Sequence, residues 1–335
     1  MSLTILMVTY ILIFLLVVFS SKKEINKTIP LTASYIVRAL SIFFIVLHHI
    51  AQRVDCTSVL AIPFLNFVYL FVGLFFFLSG YGNGVSLEKA KKIPVNWLGK
   101  RLLTMVFFYI VGLGLNVLIN MRLYEDYSGV LRDFLHLTYS PYTLWFFKVL
   151  LVCYLLTFLV AFFERKVLAS NNANLTGGGI IMAASLIFIF LCLVKQVPNY
   201  WWNSVIAYPL GYMYAHKKDS CGVKSIYVVI AFLVFLVTAV LGMKITLLQI
   251  FATISFSLIF VWFLSNFSFR KNRGLQFIGK LSLGIYLYHT VLLTALKPVM
   301  NEWYAPMAII CGSVIFAFCT DFVFGLLIGR RREYK

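Results

Sequence analysis

The stretch Arg38-Ala39-Leu40-Ser41-Ile42-Phe43-Phe44-Ile45-Val46-Leu47-His48-His49 decides the fold. Between the arginine and the histidine pair every residue except Ser41 is apolar. At about 3.6 residues per turn and roughly 1.5 Å of rise, eleven steps make close to three turns and about 16 Å of length. Arg38 and His49 therefore fall on one face, and His48 is turned about 100° away. Such a segment reads as a membrane-spanning helix, with Arg38 near one membrane face and His49 close to the middle. Ionisable groups inside hydrocarbon are expensive, and chains that carry them there put them to use. The competing reading lets Arg38 snorkel to the interface while the histidines merely bond a neighbouring helix. On the first reading His49 is the functional member, and His48 packs against it or orients it.

The composition agrees with a membrane protein. Of 335 residues, 62% are hydrophobic and 12% charged, which excludes a water-soluble domain of this size. A net charge of +18 raises the question of nucleic acid, but the Lys and Arg residues lie in short clusters between apolar runs. That is how cytoplasmic loops of membrane proteins are built, so a lipid bilayer is the partner and nucleic acid is not. Six cysteines show neither paired nor metal-ligand spacing and read as small apolar residues; no metal is expected.

Eleven apolar runs approach spanning length, at about 3–20, 33–52, 60–80, 102–120, 142–163, 178–195, 200–215, 224–242, 246–264, 276–296 and 305–328. The expected fold is an all-α polytopic bundle of about 11 transmembrane helices. With the N-terminus outside, 22 of the 29 Lys and Arg residues fall on the cytoplasmic side, which gives an N-out, C-in arrangement. The last run then ends on the basic Arg330-Arg331-Arg332. The first run lacks a basic leader and a small-residue cleavage site and reads as a retained helix. Residues 1–30 thus form an additional N-terminal helix and cytoplasmic loop, and residues 31–335 the main transmembrane domain. The largest exterior loop lies at about 121–141.

Three further constellations carry polar groups into the bundle. Gly279-Lys280-Leu281-Ser282-Leu283-Gly284-Ile285-Tyr286-Leu287-Tyr288-His289 places Ser282, Tyr286 and His289 at i, i+4 and i+7 on one helical face. They serve either as acceptor-binding and supporting groups for His49 or as a Tyr–His bond locking two helices. Phe75-Phe76-Phe77-Leu78-Ser79-Gly80-Tyr81-Gly82 suggests close helix contact and an exposed backbone turn at a helix end. Leu144-Trp145-Phe146 begins a run from the outside, where Trp145 fits an interfacial aromatic belt or an acceptor site.

These four segments, in this order, resemble the acyltransferase family 3 membrane proteins, and the resemblance covers the chain from about residue 33. It implies ten core helices that transfer acyl groups, usually acetyl from acetyl-CoA, to hydroxyls of envelope or exported sugars. It implies that Arg38 and His49 match the family's essential pair. The helix before Arg38 departs from that pattern. An exterior esterase-like domain, which some members carry, is not seen, and this favours direct transfer within the bundle.

The residues suit such chemistry. An imidazole, with a reference pKa of about 6.5, can take a proton from a sugar hydroxyl as it attacks a thioester, or carry the acyl group transiently. A guanidinium at Arg38, with Lys100 and Arg101, can anchor the phosphates of acyl-CoA from the cytoplasmic side. The expected protein is an O-acyltransferase of a multi-pass bacterial cytoplasmic membrane, with a cell-surface, exported or lipid-linked carbohydrate as acceptor. The rival from another class is an exporter of polysaccharide or acyl groups whose pathway the same residues line.

Overall fold

The computed structural model describes residues 2–26, 28–54, 58–89, 95–124, 144–167, 173–216 and 225–328. The expected exterior loop at 121–141, Lys91 and Lys92, and Arg330 to Arg332 lie largely or wholly outside them. The described residues form α1 (Ser2–Phe19), α2 (Leu31–Ala51), α3 (Ala61–Asn66), α4 (Val68–Lys89), α5 (Val95–Tyr124), α6 (Leu144–Val167) and α7 (Ala173–Val194). They continue with α8 (Ala207–Ala215), α9 (Ser225–Leu241), α10 (Leu248–Asn266), α11 (Arg273–Lys280), α12 (Ser282–Ala295) and α13 (Ala305–Leu327). The architecture is an all-α polytopic membrane bundle.

Each of the eleven apolar runs contains a helix, but their lengths differ. Seven described helices (α2, α4, α5, α6, α7, α10 and α13) are long and apolar enough to cross a bilayer. An eighth span results if α11 and α12, bent by 70° at Leu281, count together. The run at 200–215 yields only the nine-residue α8 behind a 3-10 turn at Asn199–Trp201. The run at 60–80 breaks at Phe67 (φ −113°) into α3 and α4. Along α7, α9 and α13 large apolar side chains such as Leu186, Phe190, Leu233 and Leu326 face outward, as lipid-facing helices require.

Pro30 fixes where α2 begins. It holds an extended backbone (φ −61°, ψ 141°) and the helix starts at the next residue. In the 21 residues of α2, Arg38 lies three short of the midpoint and His49 two short of the end. Along the helix, then, Arg38 is the residue nearer the centre and His49 the one nearer an end.

Two backbone contacts hold the centre together. A Cβ at Gly80 on α4 would collide with the Tyr208 carbonyl, and one at Gly211 on α8 with the Phe77 carbonyl. The small residues let α4 and α8 touch main chain to main chain. The Ser-Gly-Tyr-Gly sequence is thus a helix–helix contact, and not an exposed turn, because α4 continues unbroken to Lys89. Likewise Gly279 on α11 meets the Tyr35 carbonyl of α2. At the same end a two-residue antiparallel pair, Lys22–Lys23 with Phe267–Ser268, ties the α1–α2 linker to the end of α10.

Candidate functional site

Three imidazoles meet where the last turn of α2 faces α12. The ring of His49 lies edge-on to His48 at 4.9 Å between centroids and stacks with His289 at 5.2 Å, planes 28° apart. Tyr286 meets His289 edge-on at 5.8 Å. Each Nδ1 has an oxygen partner: the Phe64 carbonyl for His48 (2.8 Å), Gln52 Oε1 for His49 (3.2 Å) and the Ile285 carbonyl for His289 (3.1 Å). Carbonyl and amide oxygens only accept, so each Nδ1 carries the proton and donates it. In the neutral rings every Nε2 is then a bare lone pair. That of His289 is buried without a hydrogen-bond partner.

The sequence explains the pinning. Phe64 lies in the last turn of the short α3, where helical carbonyls have no partner further along, so its oxygen is open to His48. Gln52 follows the end of α2, three residues after His49, and so comes back over its face. His48 is thus held by the Phe64 carbonyl and packs edge-on against His49. His49 keeps its Nε2 available.

His48, His49, Trp145 and Tyr286 line a cavity of about 950 Å³. Its other walls are mostly neutral polar and aromatic groups, among them Gln52, Tyr69, Asn199, Tyr200, Asn203 and Gln249. Trp145 is 8% exposed and packs 5.8 Å from Tyr200 and 6.2 Å from Trp201. It is a wall of the cavity and not part of an interfacial belt, because the 3-10 turn folds over it. Ser282 does not reach this place. It starts α12 just after the bend, roughly 10 Å of helix rise from His289. It is buried and outside the cavity wall.

Arg38 also lies outside the cavity. It is partly buried, its Nε has no hydrogen-bond partner, and its nearest electrostatic neighbours include Tyr154, Tyr35 and Arg101. Arg101 sits over the rings of Trp97 (4.9 Å) and Tyr154 (5.6 Å) and donates to Ser86 Oγ (3.1 Å). No carboxylate pairs with either guanidinium among the described residues. Lys100 is exposed beside them. The helical face shared by Arg38 and His49 is real, yet it joins two places: a paired cationic end and a histidine cavity. Between them Phe146 packs on Phe76 (4.8 Å), Tyr286 (4.9 Å) and Phe75 (6.2 Å).

The amide wall escaped sequence reading. Gln249 Oε1 accepts from Asn203 (2.8 Å) and Asn199 (3.1 Å), and its Nε2 donates to the Gly242 carbonyl (3.0 Å). The only signal was the polar residues flanking Tyr200-Trp201-Trp202, which the apolar run at 200–215 concealed. Among the described residues no group of three or more His, Cys, Asp or Glu is placed to hold a metal ion.

No curated protein and no solved structure matches the chain. A family model does: the acyltransferase domain of family 3 matches residues 32–326, from the second residue of α2 to the end of α13, leaving α1 before it. The chain therefore belongs to the acyltransferase 3 family of membrane proteins.

Proposed function

We propose that this membrane acyltransferase moves an acyl group, acetyl in the first instance, from acyl-CoA to a hydroxyl of a cell-surface, exported or lipid-linked carbohydrate. The observation that carries the reading is His49. Its Nδ1–H is held by Gln52 while the ring faces a cavity large enough for a sugar. A positioned imidazole with a free Nε2 is what a general base for hydroxyl attack requires.

The acceptor hydroxyl gives its proton to His49 Nε2 as its oxygen bonds to the thioester carbonyl carbon. The tetrahedral intermediate then collapses, the C–S bond breaks, and the leaving thiolate takes the proton back from the imidazolium. His289, stacked on His49, fixes the ring's plane. Arg38 and Arg101 receive the donor's phosphates at the other end, where two guanidiniums with no carboxylate partner among the described residues favour an anion. The two places are about 16 Å apart along α2, a span that the pantetheine arm bridges. The working location is the cytoplasmic membrane, with the donor on the Lys- and Arg-rich side.

The test is release of coenzyme A from acetyl-CoA by the purified protein with candidate glycans. Release that depends on glycan and disappears in His49→Ala supports the reading. Glycan flux into liposomes without coenzyme A turnover overturns it in favour of the exporter.

A further inference from the structure

Resting on that reading of the cavity, we infer that its amide wall is the acceptor-recognition subsite, built for a neutral, hydroxyl-rich sugar segment. Gln249 is the organiser. All three of its side-chain hydrogen bonds go to protein, and its oxygen gathers the two amide groups of Asn199 and Asn203. Asn203 Oδ1 in turn accepts from Ser204 Oγ (2.9 Å). An amide nitrogen carries two hydrogens, so each asparagine keeps one for a ligand, and Asn199 also keeps its carbonyl oxygen. Donor and acceptor capacity side by side, fixed by a third residue, is what sugar hydroxyls match, since each hydroxyl both donates and accepts.

Two further features point to the same ligand. Tyr69 lines the same cavity and is only 5% exposed, and its buried hydroxyl has no hydrogen-bond partner among the described residues. A buried hydroxyl left unmet costs stability unless something arrives to bond it. Trp145 and Tyr200 add flat apolar faces against which the carbon face of a sugar ring can lie. Charge sets the class. No carboxylate or lysine lines this cavity among the described residues, and its one arginine, Arg53, is exposed. Recognition is by neutral dipoles, so the segment bound against the amides carries no charge.

The experiment uses the full-length protein in lipid nanodiscs and saturation-transfer NMR with cellobiose, maltose, chitobiose and glucuronic acid as probes. At least one neutral disaccharide binds and glucuronic acid binds no better. Asn199→Ala, at the partly exposed edge of the cluster, weakens that binding about threefold to tenfold, the usual cost of one or two lost hydrogen bonds. Asn199→Asp, of the same shape, weakens it too, and equal thermal stability of both variants with the parent rules out misfolding. Binding unchanged in both variants, or no neutral disaccharide bound by the parent, overturns the inference. His49→Ala separates this from the catalytic reading. It retains disaccharide binding while losing coenzyme A release, and retained release in that variant would sink the base assignment whatever the amides do.

Discussion

The imidazole of His289 on α12 stacks on that of His49 on α2, centroids 5.2 Å apart, although 240 residues separate them in the chain. The stack fixes a ring whose Nδ1 is already held by Gln52. On the proposed reading, removing the ring of His49 removes the base itself. His49→Ala lowers acyl transfer by about 10²–10⁴-fold, the usual contribution of a general base, with little change in the KM for acetyl-CoA. Coenzyme A release followed with a thiol reagent checks this, and near-parental turnover would refute it.

On the proposed reading His289 acts through His49, as a positioning residue. Its own Nδ1–H is spent on Ile285, and its Nε2 is sealed from the cavity. His289→Phe keeps a flat ring in the stack and retains a substantial part of the turnover, whereas His289→Ala lowers kcat about tenfold to hundredfold. If the two variants lose activity equally, the ring's nitrogen matters and not its plane. The KM for acetyl-CoA stays unchanged in both variants if, as proposed, the coenzyme's phosphates bind at Arg38 and Arg101.

At the cationic end, Arg38 and Arg101 share Tyr154 and pair with no carboxylate among the described residues. Arg38→Ala raises the KM for acetyl-CoA about tenfold to hundredfold, consistent with about 1.5–3 kcal/mol for a charge-assisted hydrogen bond. Arg38→Lys recovers only part, because an ammonium cannot reproduce the guanidinium fork. Unchanged donor affinity in Arg38→Ala, measured by equilibrium binding of coenzyme A, would make this arginine structural.

The sequence made some of this legible and hid the rest for physical reasons. Helical arithmetic alone put Arg38 and His49 on one face, since eleven residues close almost three turns. Along α2, which starts directly after Pro30, Arg38 is the one nearer the centre of the helix and His49 the one nearer its end. His289 was visible through its spacing from Tyr286. Ser282 shares that helix yet stands roughly 10 Å of rise from His289, too far along α12 to line the cavity. Asn203 and Gln249 were invisible: they lie 46 residues apart, on a turn and a helix start that only packing brings together.

The α4–α8 contact gives a stability prediction with an internal control. A side chain at Gly211 would strike the backbone at Phe77, which cannot yield as a side chain can. Gly211→Val therefore lowers the yield of monodisperse protein and its Tm. Gly82→Ala, with nothing within 4 Å of a new Cβ, leaves both unchanged. Size-exclusion profiles and thermal unfolding of the two variants decide the matter; equal behaviour would mean the helices can part at little cost.

Phe146 and its partners stand between the two ends along α6 and α4. On α6 it lies between Trp145 in the cavity wall and Tyr154 beside Arg101. On α4 its partners Phe75 and Phe76 lie between Val72 in the cavity wall and Gly82, whose carbonyl receives Arg101 at 3.5 Å. On α12 it packs on Tyr286, and it is itself only 4% exposed. On the proposed reading, an aromatic cluster there would keep water in the cavity from a thioester that enters at the cationic end. Opening it wastes donor. Phe146→Ala raises acceptor-independent release of coenzyme A several-fold and leaves glycan-dependent release no faster. Phe146→Leu, which retains most of the volume, shows a smaller leak and guards against the roughly 3–5 kcal/mol that a Phe→Ala change in a core costs. Hydrolysis at the parental rate in a well-folded Phe146→Ala protein would place the barrier elsewhere.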